Sequence, residues 1–401
     1  VSKKLESEVW NMERCAGCGG CVTACSKRIV HFDDDADHPS KKKIKKTVAL
    51  TTSILDTCHF CDMAGEHLCE DACPRLQEDW KDGPVLKALL VNTAVGKNHS
   101  GEPNDVIAYL LAGAMQAGLI DAVVMTDVDR WTMVPGPKVA TSIAEIMESA
   151  GNQYIWHPTL EGLKEAIYKM DLKRVAVVGT PCNIQALSRI GGSGTRALGY
   201  LNDRVKLKVG LFCSGVYKKQ ALKDIATALK IPATHIKSVS VSQKDDQLTV
   251  MTHDGQTKKM KLSQATNLIR AGCGRCYDLL SEQSDISVGP IGAKRGASVA
   301  IVRTPAGEVI LDNAVALGLV ATKEGVDEKA LAEAKESKMR RKRAEMIDGL
   351  QILMLEALRD PTKVEEAKKK FGEIYYRKAA GGKMETEPQG GCGTCSLCGA
   401  P

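Results

Sequence analysis

Fifteen cysteines occur in 401 residues, and their spacing is that of metal ligands. Eight stand in two N-terminal runs, Cys15-x2-Cys18-x2-Cys21-x3-Cys25 and Cys58-x2-Cys61-x7-Cys69-x3-Cys73-Pro74. A cubane 4Fe–4S cluster takes four thiolates at tetrahedral corners. Two-residue spacings let consecutive cysteines wrap one cluster while the amides between them turn towards its sulfurs, and the fourth cysteine of each run reaches the other cluster. The pattern assigns Cys15, Cys18, Cys21 and Cys73 to one cluster and Cys58, Cys61, Cys69 and Cys25 to a second. Ser26 stands where a proline often follows the fourth cysteine, which alters a turn and removes no ligand. Zinc is the competing reading, but an x2-x2-x3 run would crowd one tetrahedral ion. His59 and His67 adjoin these cysteines and are not needed as ligands, since cysteines fill both quartets.

A third set is dispersed. Cys182 follows the strand-like Val175–Gly179, Cys213 follows Val205–Phe212, and Cys273-x2-Cys276 precedes Asp285–Gly289. In open α/β sheets functional groups gather at the carboxyl ends of strands, so three segments could converge on one further cluster. A lone strand-end cysteine is more simply a buried apolar side chain. The C-x2-C pair needs two more ligands, however, and Cys182 and Cys213 are those left in the core. At the C-terminus Cys392, Cys395 and Cys398 offer three ligands without an obvious fourth. Two readings stay open there: a fourth metal site completed by an exogenous ligand or a neighbouring chain, and a flexible, reduced tail.

These ligands need elements to hold them. Residues 1–82 are polar and weakly periodic, with a basic run from Lys41 to Lys46, and so small a segment leans on its metal for stability. That lysine run reads as a solvated loop more readily than as a polyanion site. Residues 84–320 alternate strands (Lys87–Val91, Ala122–Thr126, Val175–Gly179, Val205–Phe212, Asp285–Gly289, Val299–Arg303) with helices, which predicts an α/β core with a partly parallel sheet. One helix is expected from an N-cap at Asn104 to Gly118, another over Ser142–Ala150, and a third after Pro158. An alternating pattern over Val239–Val250 and Lys258–Leu262, with a turn at His253-Asp254-Gly255, predicts an inserted hairpin. Residues 321–401 form a helical extension ending in the Cys-containing tail. The fold class expected is thus an α/β core with an N-terminal two-cluster ferredoxin-like segment and a helical C-terminal tail.

Composition narrows the function. Charged residues make up 26% of the chain, the net charge is +6 and spread out, and aromatics are 4%, which disfavours a zinc-dependent nucleic-acid binder. The most apolar stretch, Val106–Met125, is interrupted by Gln116 and Asp121, and the N-terminus lacks a basic-then-apolar leader. The expectation is a cytoplasmic protein that is not an integral membrane protein, able to dock onto a membrane complex.

Three stretches resemble the beta subunits of coenzyme F420-reducing hydrogenase and formate dehydrogenase. They are Gly179-Thr180-Pro181-Cys182-Asn183-Ile184-Gln185-Ala186-Leu187, Gly210-Leu211-Phe212-Cys213-Ser214-Gly215, and Cys273-x2-Cys276 with Ser284-Asp285-Ile286-Ser287-Val288-Gly289. Gly118-Leu119-Ile120-Asp121 and Pro137-Lys138-Val139-Ala140-Thr141 resemble the same family's flavin-domain half. The resemblance covers about residues 84–345. It implies FAD, a 4Fe–4S cluster on Cys182, Cys213, Cys273 and Cys276 (three clusters in all), and a site for the deazaflavin F420. Its candidate flavin or substrate contacts are Ser100, Gly101, Asn104, Thr126, Lys138, Thr180, Pro181 and Asn183. The family's Ser-Gly-Gly turn reads Ser100-Gly101-Glu102 here, and Pro290 replaces a common acidic residue.

The resemblance also implies a role linked to methanogenesis, with no side-chain acid or base demanded by the reaction. Its length and tail suit the beta subunit of an F420-dependent formate dehydrogenase, partnered by a catalytic alpha subunit of formate dehydrogenase or hydrogenase type. The alternatives are an F420H2-oxidising input subunit of a respiratory or hydrogenase complex, and a flavin-free electron-relay adaptor.

Overall fold

Strands that are apolar on both faces alternate with helices apolar along one stripe, and such strands must be covered on both sides. A computed structural model of the chain describes residues 3–25, 29–33, 38–41, 66–76, 82–94, 102–129, 134–149, 156–242, 246–294 and 296–340. Among its described residues the N-terminal segment carries a helical stretch over Lys3–Leu5 and Glu6–Trp10, the short helices α1 (Gly20–Ala24) and α2 (Leu68–Asp71), and a small antiparallel pair, β1 (Val30–His31) with β2 (Ser40–Lys41).

The main sheet has eight strands: β3 (Lys87–Thr93), β4 (Ala122–Val128), β5 (Pro135–Ala140), β6 (Val175–Gly179), β7 (Val205–Leu211), β11 (Ile286–Gly289), β12 (Ser298–Val302) and β13 (Val320–Lys323). Their order is β13-β3-β12-β11-β7-β6-β4-β5. The central β11, β7, β6 and β4 are parallel, and both flanks are antiparallel. Two reversals bring β3 back parallel to β7, so the carboxyl ends of β3, β4, β6, β7 and β11 share one edge of the sheet. A separate three-stranded sheet, β8 (Ile236–Ser242), β9 (Gln247–Thr252) and β10 (Thr257–Lys261), is inserted before β11. Val239, Leu248 and Val250 of that sheet share a small core with Leu222 and Ile225 of α7 (Ala221–Leu229).

Alternating side chains divide the main core in two. Val123, Ala176, Val178 and Val209 face α3 (Pro103–Gln116) and α8 (Pro305–Ala316), while Val124, Val175 and Val177 face the opposite layer of α5 (Pro181–Gly192) and α6 (Arg196–Asn202). Cys18, Ala24, Leu68 and Ala72 of the N-terminal segment are buried in that second layer. The small segment therefore gains apolar burial from the sheet's helices.

Every expected strand is present, with ends moved by up to two residues. The prolines of Pro135-Gly136-Pro137 mask β5 in the sequence, and they are tolerated because β5 is an edge strand. β13 is likewise unmarked, being a short and mostly exposed edge. The expected hairpin has a third strand, β8. Helix α3 starts earlier than expected: Glu102, not Asn104, is its cap residue, because Pro103 with its fixed φ and missing N–H suits the first helical position. Ser142 caps α4 (Ile143–Glu148) in a reciprocal pair with Glu145. A helix over residues 328–340, α9, opens the C-terminal extension; the rest of that tail lies outside the described residues. Among the described residues no helix is long and apolar enough to cross a membrane.

The N-terminal segment is seated on the core by buried and half-buried polar contacts. Thr23 Oγ1 donates to Leu160 O (2.6 Å), Trp156 Nε1 to Gly17 O (2.8 Å), Lys164 Nζ to Cys25 O (2.9 Å) and Arg189 Nε to Asp71 O (2.8 Å). His157 lies in this seam. Burial, reinforced by the charge of Lys219, lowers its imidazole to about 4. A folded value below that of the unfolded chain, about 6.5, leaves stability intact above pH 6.5 and erodes it as pH falls towards 4. Between pH 7 and pH 5 the wild type should lose about 1–2 kcal/mol relative to His157→Gln, part of the full linkage being discounted for residual solvent contact. Urea midpoints of both proteins across that range check this, and a pH-independent difference contradicts it.

Candidate metal and electron-transfer site

The loop from Cys15 to Cys21 turns because Gly17 and Gly19 adopt φ of 70° and 81°, a region that side-chain-bearing residues avoid. The turn aims amides at sulfur: Gly17 N donates to Cys15 Sγ (3.4 Å) and Gly20 N to Cys18 Sγ (3.5 Å). Cys15, Cys18, Cys21 and Cys73 line one small pocket together with Trp10 and Phe32. Burial pushes the Cys15 thiol up to about 12, and it raises Cys18, Cys21 and Cys73 as well. A bare thiolate is thus disfavoured here unless a bound cation compensates it.

Of the second N-terminal set, Cys25 ends α1 with its Sγ accepting from Ile29 N (3.3 Å), and Cys69 lies on α2 within electrostatic reach of Cys21. Cys58 and Cys61 lie outside the described residues, as do His59, most of the 41–46 lysine run, and Cys392, Cys395 and Cys398. His67 pairs with Glu70 (3.9 Å).

The dispersed cysteines meet. β6 and β7 are adjacent and parallel, so the residues after them, Cys182 and Cys213, emerge side by side. Cys182 occupies the second position of α5, where helix N–H groups favour anions. Cys273 and Cys276 come in on a 3-10 turn, Ala271–Arg275, and Cys273 Sγ accepts from Val216 N (3.5 Å). Cys213 lies within electrostatic reach of Cys273, Cys182 and Cys276. Burial raises the Cys182 and Cys213 thiols and takes Cys273 to about 11. Burial also raises Cys276, but Lys338 and Arg75 outweigh it and leave that thiol below its ordinary value.

The two quartets adjoin. Cys182 is the thiol whose charge acts most on Cys18, and Cys182 Sγ approaches Ala16 O (3.8 Å). Asn183 Nδ2 donates to Cys18 O (3.0 Å). A Cβ added to Gly272 would meet Cys15 O at 1.9 Å, so the two cysteine-bearing loops touch through backbone. Among the described residues, the cations buried around this junction include Arg75, Arg270 and Lys338, at 4%, 2% and 4% exposure. Arg75 acts on Cys15 and Cys73 on one side and on Cys182 and Cys276 on the other. Arg270 stacks over Trp156 (3.7 Å) and acts on Cys15, Cys182 and Cys273. Buried cations beside thiols suit an anionic guest, and a thiolate-bound cubane is one. Among the described residues no three His, Cys, Asp or Glu side chains converge as a single ion would require.

Neither Arg75, Arg270 nor Lys338 figures among the sequence candidates. Arg75 has a signal, standing two residues after Cys73, and Arg270 precedes the C-x2-C pair by three; Lys338 sits in a Lys-rich helix and has none.

The candidate flavin contacts are placed as follows. Ser100 and Gly101 lie outside the described residues. Asn104 is in the first turn of α3, which follows the carboxyl end of β3. Thr126 Oγ1 is 2.6 Å from Thr159 Oγ1. Lys138 on β5 pairs with Asp127 (3.2 Å) and Glu148 (3.8 Å). Thr180 and Pro181 start α5, Thr180 N donating to Asn183 Oδ1 (3.0 Å) and Thr180 Oγ1 lying 3.2 Å from Cys182 Sγ. The structure thus draws Thr180, Pro181 and Asn183 to the cysteine junction and leaves Thr126 and Lys138 on the neighbouring β4–β5 hairpin.

An α/β sheet with adjoining buried thiol quartets at its carboxyl edge is a framework suited to moving electrons. Residues 104–164 and 172–328 match the N-terminal and C-terminal parts of the coenzyme F420 hydrogenase/dehydrogenase beta subunit, and the chain belongs to that family. It is 31% identical to an uncharacterised protein of Methanocaldococcus jannaschii, over 84% of this chain and 97% of that one. It is 26% identical to the coenzyme F420-dependent sulfite reductase of the same organism over 85% of this chain, spanning 51% of that longer protein. It is 26% identical to one subunit of the F420H2 dehydrogenase of Methanosarcina mazei, over 76% and 84% of the two chains. The fold is that of a chain of the F420-reducing [NiFe] hydrogenase complex of Methanosarcina barkeri, with a TM-score of 0.60, 24% identity, and 66% and 92% of the two chains covered.

Gly272→Ala tests the junction, since its methyl group must displace the Cys15 carbonyl. It should lower stability by more than about 2 kcal/mol, read by denaturant unfolding. An unchanged midpoint contradicts the contact.

Proposed function

We propose that this chain is an iron–sulfur flavoprotein subunit passing electrons between coenzyme F420 and one-electron carriers, as the beta subunit of an F420-dependent formate dehydrogenase with a catalytic alpha subunit as partner. The observation that carries the reading is the adjoining pair of buried thiol quartets with cations packed around their junction. The bound groups, FAD and three 4Fe–4S clusters, supply the change from two-electron hydride transfer to one-electron transport.

The chain's own part is to hold, space and shield. Cys15, Cys18, Cys21 and Cys73 would hold one cluster; Cys25, Cys58, Cys61 and Cys69 a second; Cys182, Cys213, Cys273 and Cys276 the third. Trp10 and Phe32 line the first pocket, and Arg75 and Arg270 offset negative charge at the junction. Ser100, Gly101, Asn104, Thr126 and Lys138 would hold FAD along the shared strand edge, with the turn Thr180-Pro181 and Asn183 bordering it. Localisation in the cytoplasm and a link to a further electron-transfer complex follow from this reading. The match to the Methanosarcina mazei F420H2 dehydrogenase chain runs over 312 residues, more than the α/β core contains, and favours a second reading as an F420H2-oxidising input subunit.

Anaerobically purified protein should contain about twelve irons and one releasable flavin per chain, and should reduce F420 with reduced viologen as donor. Cys213→Ser should remove about four irons and abolish F420 reduction. Colourless protein overturns the reading, and iron without flavin leaves a relay adaptor. Co-purification with a molybdenum- or tungsten-pterin subunit selects the formate reading over the respiratory one. Cys395→Ser with unchanged iron and zinc removes the fourth metal site at Cys392, Cys395 and Cys398.

A further inference from the structure

Helix α9 begins where the family match ends, at residue 328, and the core fastens it. Lys335 Nζ donates to Glu282 Oε1 (2.9 Å) and Asp82 Oδ1 (2.6 Å). Glu282, itself buried, accepts from Arg303 Nη2 (3.1 Å). Asp327 N donates to Gly292 O (2.9 Å), and Leu331 closes over Gly292 so tightly that an added Cβ would meet it at 2.9 Å.

One turn beyond Lys335, Lys338 points inward. It is 4% exposed, and its ammonium donates to the carbonyls of Cys213 and Asp278, the latter at 2.7 Å. It lies 3.7 Å from Cys276 Sγ. The nearest carboxyl, that of Asp278, accepts from Gln185 Nε2 (3.1 Å) and Glu282 N (3.2 Å). The lysine's charge is therefore directed at a ligand sulfur and at the backbone of a second ligand. In so dry a place salt screens it little.

We propose that Lys338 is a positioning residue that sets the reduction potential of the core cluster, by holding a fixed positive charge against Cys276 and Cys213. This rests on the reading that Cys182, Cys213, Cys273 and Cys276 bind a 4Fe–4S cluster. Reduction adds one electron and hence one negative charge to the cluster, without protons or further reactants. A cation fixed at the sulfur stabilises the reduced form and raises the potential; its removal lowers it. The same helix that clasps the core thus makes the core cluster a better electron acceptor than its ligands alone would.

The test is an EPR-monitored redox titration of intact, anaerobically purified protein, following the signal that Cys213→Ser lacks. Iron is counted first: wild-type protein without the core cluster refutes the cluster reading itself. With iron in place, Lys338→Met should reduce the reduced-to-oxidised ratio at a fixed potential about tenfold, a shift of about 59 mV to lower potential for a one-electron couple. Lys338→Arg should stay near wild type. Lys335→Met, which loosens the helix and leaves the buried charge, should lower stability without that shift. A Lys338→Met protein with full iron and an unmoved potential overturns the proposal. Should Lys338→Met lose core iron, Lys338→Gln is titrated in its place and judged by the same shift. If both neutral variants lose it, retention in Lys338→Arg supports the need for charge, and loss there too overturns it.

Discussion

Everything in this structure turns on charge placed where water is absent. Eight thiols gather at the junction, and burial penalises the ionised form of each. A buried ion without a partner costs several kcal/mol, whereas opposite charges about 4 Å apart recover about 4 kcal/mol at an effective dielectric near 20. Arg75, Arg270 and Lys338 supply permanent positive charge from three separate stretches of chain. In the proposed reading, metal ions supply the remaining compensation. The N-terminal segment, the sheet edge and α9 converge because each brings part of that balance.

Topology explains how scattered residues reach one place. Parallel neighbours β6 and β7 deliver Cys182 and Cys213 together, and the insertion carrying β8 to β10 returns to β11 through the Cys273-x2-Cys276 turn. The seam then locks the loop carrying Cys15, Cys18 and Cys21 onto α5 through Asn183 and onto Trp156 through Gly17. Tight backbone contact at Gly272 leaves no room for a spacer between the quartets. The distance between the two sites is thereby fixed by the fold.

Much of this is legible in the residues. Strands such as Val175–Gly179 announce themselves because both faces are apolar, and the x2 spacings single out Cys15, Cys18 and Cys21, which line one pocket with Cys73. The edge strand Pro135–Ala140 is hidden since its prolines say turn, and only its place at the sheet margin makes them harmless. Asn104 looks like a cap because local chemistry favours it, yet Pro103 starts the helix sooner. Lys338 cannot be found by spacing, because what distinguishes it from its neighbours is burial beneath a helix packed on distant residues. Thr180 and Asn183 stand out through the resemblance, and the structure shows what their local bonds do: they tie the Cys182 turn to Cys18.

The adjacency of the two quartets is the central claim, and magnetism measures it directly. In fully reduced, anaerobic protein the account predicts an EPR spectrum that carries spin–spin interaction between the core cluster and its N-terminal neighbour, and in Cys182→Ser that contribution is lost and only the coupled signal of the two N-terminal clusters remains. A spectrum that is merely the sum of isolated, fast-relaxing centres, unchanged in form by that substitution, would contradict it.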